Sequence, residues 1–250
     1  MKLNILFGVG ILLLLTACGG VYENDAPLEN VAFFEGTDGL IVEFLENGPP
    51  DVVFEETEFP VSVMIYNEGA YHVVEDAKGK ITLTYDPFYF TEVESGLCAE
   101  SVSRYGKGTL FPEGEFDLCE VGVLSTKLVE GPRQFPESQI FVNLCYPYKT
   151  VFADTVCVDV DLYDRDLREQ VCEGEDLTYG GQGAPVAITE VKVETIPKGD
   201  RVQPRFVLTL ENVGGGVLLS PVEEDKFLEA CALQDDSRDA WNRIIVEAWL

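Results

Sequence analysis

Phe59-Pro60-Val61-Ser62-Val63-Met64-Ile65-Tyr66-Asn67-Glu68-Gly69 is the stretch from which the fold of this chain can be read. Its residues 59, 61, 63 and 65 are apolar and alternate with others, and a period of two is typical of a half-buried β-strand. Asn67 and Gly69 both tolerate the left-handed backbone of a tight turn. The stretch therefore predicts a strand that runs into an Asn-x-Gly turn.

The second half of the chain repeats this pattern. Pro204–Gly214 aligns with Phe59–Gly69 without a gap, so that Asn212 falls on Asn67 and Gly214 on Gly69. The segment before it, a strand pattern over 186–196 and a turn over 197–200, matches the strand and turn before Phe59. Two copies of strand, turn, strand and Asn-x-Gly predict two related β-domains.

The remaining segments are mostly β-like, with one exception. Ser220-Pro221-Val222-Glu223 combines a helix cap, an early proline and a capping-box glutamate, which predicts a short helix from Pro221 to about Leu233. Further strands are predicted at 39–45, 80–85, 122–129, 139–146, 150–161 and 241–250. The two strands around Tyr146-Pro147-Tyr148 are expected to form a hairpin that closes the first domain.

The strand that ends in Asn-x-Gly resembles the second strand of the Ig-like β-sandwiches of prokaryotic surfaces, in particular the CARDB-like adhesion modules. The resemblance covers this strand and the one before it in each half. It implies Greek-key sandwiches used for display, spacing or adhesion, without catalysis. We therefore expect an all-β fold of two Ig-like β-sandwich domains in tandem, with one short helix in the second.

The chain divides into five predicted segments. Residues 1–17 would be a signal peptide and residues 18–36 a tether. Residues 37–168 would form the first sandwich, and residues 169–184 a Gly-rich linker. A second and smaller Ig-like domain would occupy residues 185–250.

The N-terminus has the features of an export signal. Lys2 precedes an apolar run that reaches Ala17, and this run is too short for a spanning helix, which needs about 20 apolar residues. Leu15-Thr16-Ala17-Cys18 resembles the lipobox of prokaryotic lipoproteins, which implies that Cys18 receives the lipid and becomes the mature N-terminus. An ordinary signal peptide with an unmodified Cys18 is the alternative. The expected location is the outer face of the cell membrane or the periplasm.

The charge of the chain limits its partners. It has 45 acidic and 17 basic residues, for a formal net charge of −28. Such a chain should repel nucleic acid and anionic headgroups. The remaining partners are the membrane, through the N-terminal lipid, and an envelope protein or a glycan. Acidity that serves only solubility or a salty habitat is favoured over any specific partner.

Six of the seven cysteines are expected to form disulfides once Cys18 is lipidated. Cys145 and Cys157 would share the outer face of the closing hairpin, so they are paired first. Cys98 and Cys119 would close a loop in the first domain. Cys172 and Cys231 are then paired by elimination. Since no Cys-x-x-Cys pair occurs and His72 is the only histidine, neither a zinc site nor a Cys/His nucleophile is indicated.

Four aspartates close together offer the one candidate metal site. Asp159, Asp161, Asp164 and Asp166 are hard oxygen ligands of the kind that Ca²⁺ prefers. The glycine and glutamate of an EF-hand loop are absent, and Arg165 lies among the acids. A solvated charged edge is therefore favoured over a Ca²⁺ site, and no cofactor is expected.

Two classes of function fit these features. The first is a lipid-anchored extracytoplasmic binding, adhesion or spacing protein that is not an enzyme. The second is an accessory subunit or acidic-site hydrolase of the cell envelope, whose carboxylates would meet only in the fold. A cleft with two carboxyl groups facing each other would favour the second class.

Overall fold

A computed structural model describes residues 33–74, 79–96, 98, 101–128, 136–158, 175–199, 201–219, 231 and 241–249. All of them belong to one compact unit, Ala32–Leu250. The described residues form nine β-strands: β1 Leu40–Phe44, β2 Glu58–Asn67, β3 Lys80–Tyr85, β4 Phe90–Ser95, β5 Phe116–Thr126, β6 Ile140–Cys145, β7 Leu177–Thr178, β8 Val186–Lys198 and β9 Arg201–Asn212. The expected all-β class is confirmed.

Three antiparallel sheets contain these strands. The first has the order β1-β2-β5-β4, the second is the pair β3-β6, and the third has the order β7-β8-β9. β2 lies in the middle of the first sheet, and its burial alternates because Phe59, Val61, Val63 and Ile65 all point inward. The strand predicted from its period of two is therefore confirmed.

The first two sheets share a hydrophobic core. Val63 and Ile65 of β2 pack in one cluster with Ile81 of β3, and Leu144 of β6 packs against it. A second cluster around Phe59 and Leu124 continues the core toward the other end of the sheets. Ile140, Val142 and Leu144 all face this core, as the alternation of β6 predicts. The arrangement is a two-sheet sandwich.

The repeat predicted from the Asn-x-Gly alignment is present in the backbone. In the first copy β1 pairs with β2 so that Leu40 lies opposite Asn67, and Gly39 accepts a hydrogen bond from the N–H of Glu68. In the second copy β8 pairs with β9 so that Val186 lies opposite Asn212. Pro185 then accepts the N–H of Val213. The two hairpin-like pairs thus have the same register at their Asn-x-Gly ends.

The predicted closing hairpin is wrong in its second strand. Residues 150–158 form no strand, whereas β6 is present where it was expected. The chain continues across the molecule instead of folding back, because Tyr148 bonds to Gly183 and Thr150 bonds to the carbonyl of Val186. These two contacts hold the segment after β6 against the start of the third sheet.

Other predicted elements also differ from the structure. β4 was not predicted, and β5 begins six residues before the predicted start at Gly122; register shifts interrupt the alternation of both strands. The predicted last strand is absent over 241–249, where only Trp241 forms a bridge, to Leu219. The predicted helix lies outside the described residues except for Cys231, whose backbone is helical.

The predicted linker is structured where it is described. It contains β7, and the side chains of Gln182 and Ala184 are buried. Gln182 exchanges two hydrogen bonds with the backbone of Ile188, at 3.0 and 2.8 Å, and so fixes the start of β8. Residues 175–184 are therefore part of the packed unit.

Candidate functional site

Several residues singled out in the sequence lie outside the described residues, Cys172 among them. Cys18 and the four aspartates Asp159, Asp161, Asp164 and Asp166 lie outside the described residues. Within the described residues, no group of three or more His, Cys, Asp or Glu side chains could hold a metal ion. The Ca²⁺ hypothesis stays a prediction.

The first Asn-x-Gly turn is a buried hydrogen-bonding centre. Asn67 is 1% exposed, and its Nδ2 donates to the carbonyls of Tyr71 and Arg104 at 2.8 and 3.0 Å. Its Oδ1 accepts the N–H of Gly69 at 3.2 Å. One side chain therefore bonds to three backbone groups from two separate loops. The carbonyl of Arg104 also accepts the N–H of Val73, whereas the other two groups depend on Asn67.

The second turn repeats one of these bonds at the surface. Asn212 is exposed, and its Nδ2 donates to the carbonyl of Gly216, four residues later, at 2.6 Å. Asn67 makes the corresponding bond to Tyr71, also four residues later. The two asparagines thus have the same local role, and only the first is covered by the rest of the sandwich.

The glycines of these turns are required for space and not for a left-handed backbone. None of the residues Asn67, Gly69, Asn212 and Gly214 has a positive φ angle. The expectation of a left-handed backbone in these turns is therefore wrong. A Cβ on Gly69 would collide with the hydroxyl of Tyr148, and one on Gly214 would lie 2.5 Å from Pro185. Both glycines therefore allow another segment to approach the turn closely.

Tyr148 connects the first turn to the start of the third sheet. Its hydroxyl donates to the carbonyl of Gly183 at 2.7 Å and accepts the N–H of Tyr71 at 3.2 Å. Burial raises the pKa of Tyr148 to about 12, an effect larger than that of its hydrogen bonds. The hydroxyl therefore stays protonated and remains a donor throughout the physiological pH range. We interpret this junction as structural.

The described cysteines are all bonded, but not all as predicted. The bond between Cys98 and Cys119 is confirmed. Cys145 pairs with Cys231, which contradicts both the predicted bond between Cys145 and Cys157 and that between Cys172 and Cys231. The reason is that the segment after β6 does not turn back, so Cys157 is not level with Cys145. Cys157 is also disulfide-bonded, to a residue outside the described ones.

Non-reducing peptide mapping should therefore recover three linked peptides: Cys98 with Cys119, Cys145 with Cys231, and Cys157 with Cys172. The third pair follows because Cys18 and Cys172 are the two cysteines left for Cys157, and Cys18 is expected to carry the lipid. Mass spectrometry of the exported protein measures all three. A bond between Cys157 and Cys18 would contradict both the third pair and lipidation.

Two concave regions lie on the described surface. The larger, of about 1400 Å³, is lined mainly by apolar residues of β1, β6, β8, β9 and the segment 243–249. The smaller, of about 820 Å³, is an open depression that contains two carboxylates, Asp86 and Glu137. Oδ1 of Asp86 accepts the N–H of Phe88 at 2.8 Å and so holds a turn. This carboxylate therefore already has a structural role.

The outer face of the four-stranded sheet exposes an apolar patch. Tyr66 of β2 lies opposite Ile41 of β1 and Phe116 of β5, and the rings of Tyr66 and Phe116 are 5.8 Å apart. In the next row, Met64 lies opposite Leu118. Phe116 and Leu118 are 63% and 54% exposed. We call these five residues the outer patch: Ile41, Met64, Tyr66, Phe116 and Leu118.

The outer patch was not predicted from the sequence. Its signal is present, because Phe116 and Leu118 alternate with the inward-facing Cys119 and Val121 ahead of the register shift in β5. The shift at Val121 separates this alternation from the pattern that begins at Gly122. A contiguous exposed apolar patch on a soluble fold is typical of an interaction surface.

Comparison of the chain with protein-family models, curated proteins and solved structures finds no match. The described residues contain no helix with the length and apolar character needed to cross a membrane. The two disulfides indicate an oxidising, extracytoplasmic environment.

Proposed function

We propose that this chain is a lipid-anchored extracytoplasmic binding protein, without catalytic activity, that displays an Ig-like sandwich at the cell envelope. The observation that carries the proposal is the outer patch, an exposed apolar surface on a disulfide-bonded sandwich. A sheet that is apolar on both of its faces is unfavourable in water unless a partner covers the exposed face. Binding is therefore favoured over a purely spacing role.

The strand order supports the Ig-like assignment. An Ig constant-type domain has its first, second, fifth and fourth strands in one sheet and its third and sixth in the other, together with a seventh. The order β1-β2-β5-β4 and the pair β3-β6 follow this arrangement, with no seventh strand among the described residues. The β8–β9 pair repeats β1–β2 and supports a second, reduced copy of the same unit.

The lipid anchor is proposed from the sequence alone, at Cys18. Two acyl chains suffice for stable attachment, since burial contributes roughly 0.8 kcal/mol per methylene, whereas one chain gives only marginal binding.

Replacing Cys18 with serine should move the protein from the membrane fraction to the soluble exported fraction. The physical reason is that serine has no thiol to receive the lipid. Fractionation followed by immunoblotting measures the change, and Leu110→Ser, which alters an exposed side chain and leaves every cysteine intact, is the control. A Cys18→Ser variant that stays in the membrane fraction would contradict the lipoprotein assignment.

A further inference from the structure

We propose that the outer face of the four-stranded sheet binds a basic, amphipathic segment of a partner protein. The inference rests on the proposed binding function and specifies the chemistry of its partner. It has two independent grounds, the apolar end of this face and the charge of the strands that form it.

The apolar end is the outer patch, which spans three neighbouring strands. At about 4.8 Å between strands it is about 10 Å wide. Its two most exposed members, Phe116 and Leu118, are next to each other on the same face of β5. Burial of apolar side chains of this kind contributes roughly 25 cal/mol per Å² of surface removed from water.

The charge of the sheet is entirely of one sign. β1, β2, β4 and β5 together contain six acidic residues and no lysine or arginine: Glu43, Glu58, Glu92, Glu94, Asp117 and Glu120. By contrast, the β8–β9 pair contains Lys192, Lys198, Arg201 and Arg205. The absence of basic residues is thus a property of this sheet and not of every strand in the chain.

Four of these six acidic residues lie on the face of the outer patch. Asp117 and Glu92 lie opposite the buried Ile65 and Leu124, and Asp117 is paired with Arg104 at 3.4 Å. Glu43 lies opposite Met64, within the second row of the patch, and Glu120 lies opposite Ser62 in the row that follows. Glu94 and Glu58 belong to the rows beyond. The face therefore changes from apolar to acidic along β2, from Tyr66 toward Glu58.

This pattern excludes several occupants on electrostatic grounds. Two copies of the chain that meet through this face would place acidic rows against each other, and like charges across an interface disfavour association. Nucleic acid and anionic lipid headgroups are repelled for the same reason. A segment with apolar residues toward one end and lysine or arginine toward the other complements both halves of the face.

The length of the face sets the length of the segment. From Tyr66 to Glu58 β2 extends about 26 Å, at about 3.3 Å per residue. A helix of about 17 residues has the same length. The segment that fits is therefore a helix of four to five turns whose contacting face is apolar in the turns over the patch and basic in the turns over the glutamates.

A synthetic 18-residue helical peptide, with leucine on one face of its first half and lysine on the same face of its second half, tests this. The protein is the full chain with Cys18→Ser, so that no acyl chain interferes, and calorimetry measures binding. We expect Phe116→Ser with Leu118→Ser to weaken binding at least tenfold, since these side chains supply the buried apolar area. Glu43→Gln with Glu120→Gln should weaken it several-fold at low salt and less at high salt.

Matched controls separate this face from the general acidity of the chain. Leu110→Ser removes an apolar side chain that is 85% exposed and lies outside the sheet, and Glu137→Gln with Glu211→Gln removes two charges elsewhere. Both variants should bind as the unmodified chain does. Circular dichroism and the melting temperature establish that each variant is folded.

Three outcomes would overturn the inference. One is equal binding by the outer-face variants and their controls, and another is equal binding of a peptide with glutamate in place of lysine. The third is self-association of the chain that Phe116→Ser abolishes, which would make a second copy the occupant. Release by Cys18→Ser is measured separately, so failure of peptide binding and failure of the lipid anchor are distinguishable.

Discussion

We expect the free energy of unfolding to fall by about 2–5 kcal/mol when Asn67 is replaced with alanine. The carbonyls of Tyr71 and Arg104 and the N–H of Gly69 all bond to this side chain. The carbonyl of Tyr71 and the N–H of Gly69 lose their partner, whereas the carbonyl of Arg104 keeps the N–H of Val73. Each buried group left unpaired costs about 1–3 kcal/mol. Urea denaturation measures the change as a lower transition midpoint.

The repeat in the chain supplies a matched control for this experiment. Asn212 makes the corresponding hydrogen bond, to the carbonyl of Gly216, but the side chain of Asn212 is exposed. Water can replace its amide, so Asn212→Ala should lower the free energy of unfolding by about 1 kcal/mol or less. Equal effects of the two substitutions would mean that burial does not explain the role of Asn67.

The parts of the fold that follow from local pattern could be predicted from the sequence. β1, β2, β3, β6, β8 and β9 all have an apolar period of two or a dense β-branched composition, bounded by Gly, Pro or Asn. The correspondence of Asn67 with Asn212 could also be predicted from the sequence, because it requires only an alignment of the chain with itself. Both predictions depend on neighbours in sequence.

The parts that were missed depend on irregular pairing. The register shifts at Val61/Ser62 and at Glu92/Glu94 move side chains to the other face of a strand, and no residue type announces them. For this reason β4 and the first half of β5 were not predicted. The outer patch was missed with them, because Phe116 and Leu118 lie in that half of β5.

The pairing of the cysteines depends on where distant segments meet. Cys145 was matched with Cys157 because two strands on either side of Tyr146-Pro147-Tyr148 suggest a hairpin. In the structure Tyr148 is instead bonded to Gly183, 35 residues later. A contact at that sequence distance has no signature in the pattern of either segment, and the whole disulfide assignment after Cys119 changes with it.

The bond between Cys145 and Cys231 should contribute more stability than any other described covalent link. It joins β6 to the C-terminal part of the chain across a sequence separation of 86, whereas Cys98 and Cys119 are separated by 21. In the chain-entropy model a loop of the first length restricts the unfolded chain by about 4.6 kcal/mol and one of the second by about 3.3 kcal/mol.

Replacing Cys145 and Cys231 together with alanine should therefore lower the free energy of unfolding by about 4–5 kcal/mol. Alanine is chosen because Cys231 is 1% exposed, and a serine hydroxyl there would lack a partner. The double variant of Cys98 and Cys119, which also removes a buried cysteine, is the control and should lose about 1 kcal/mol less. Denaturation under non-reducing conditions compares the two. A larger loss of unfolding free energy from removal of the Cys98–Cys119 bond would contradict this prediction. It would mean that the segment around Cys231 stays close to β6 in the unfolded chain even without the bond.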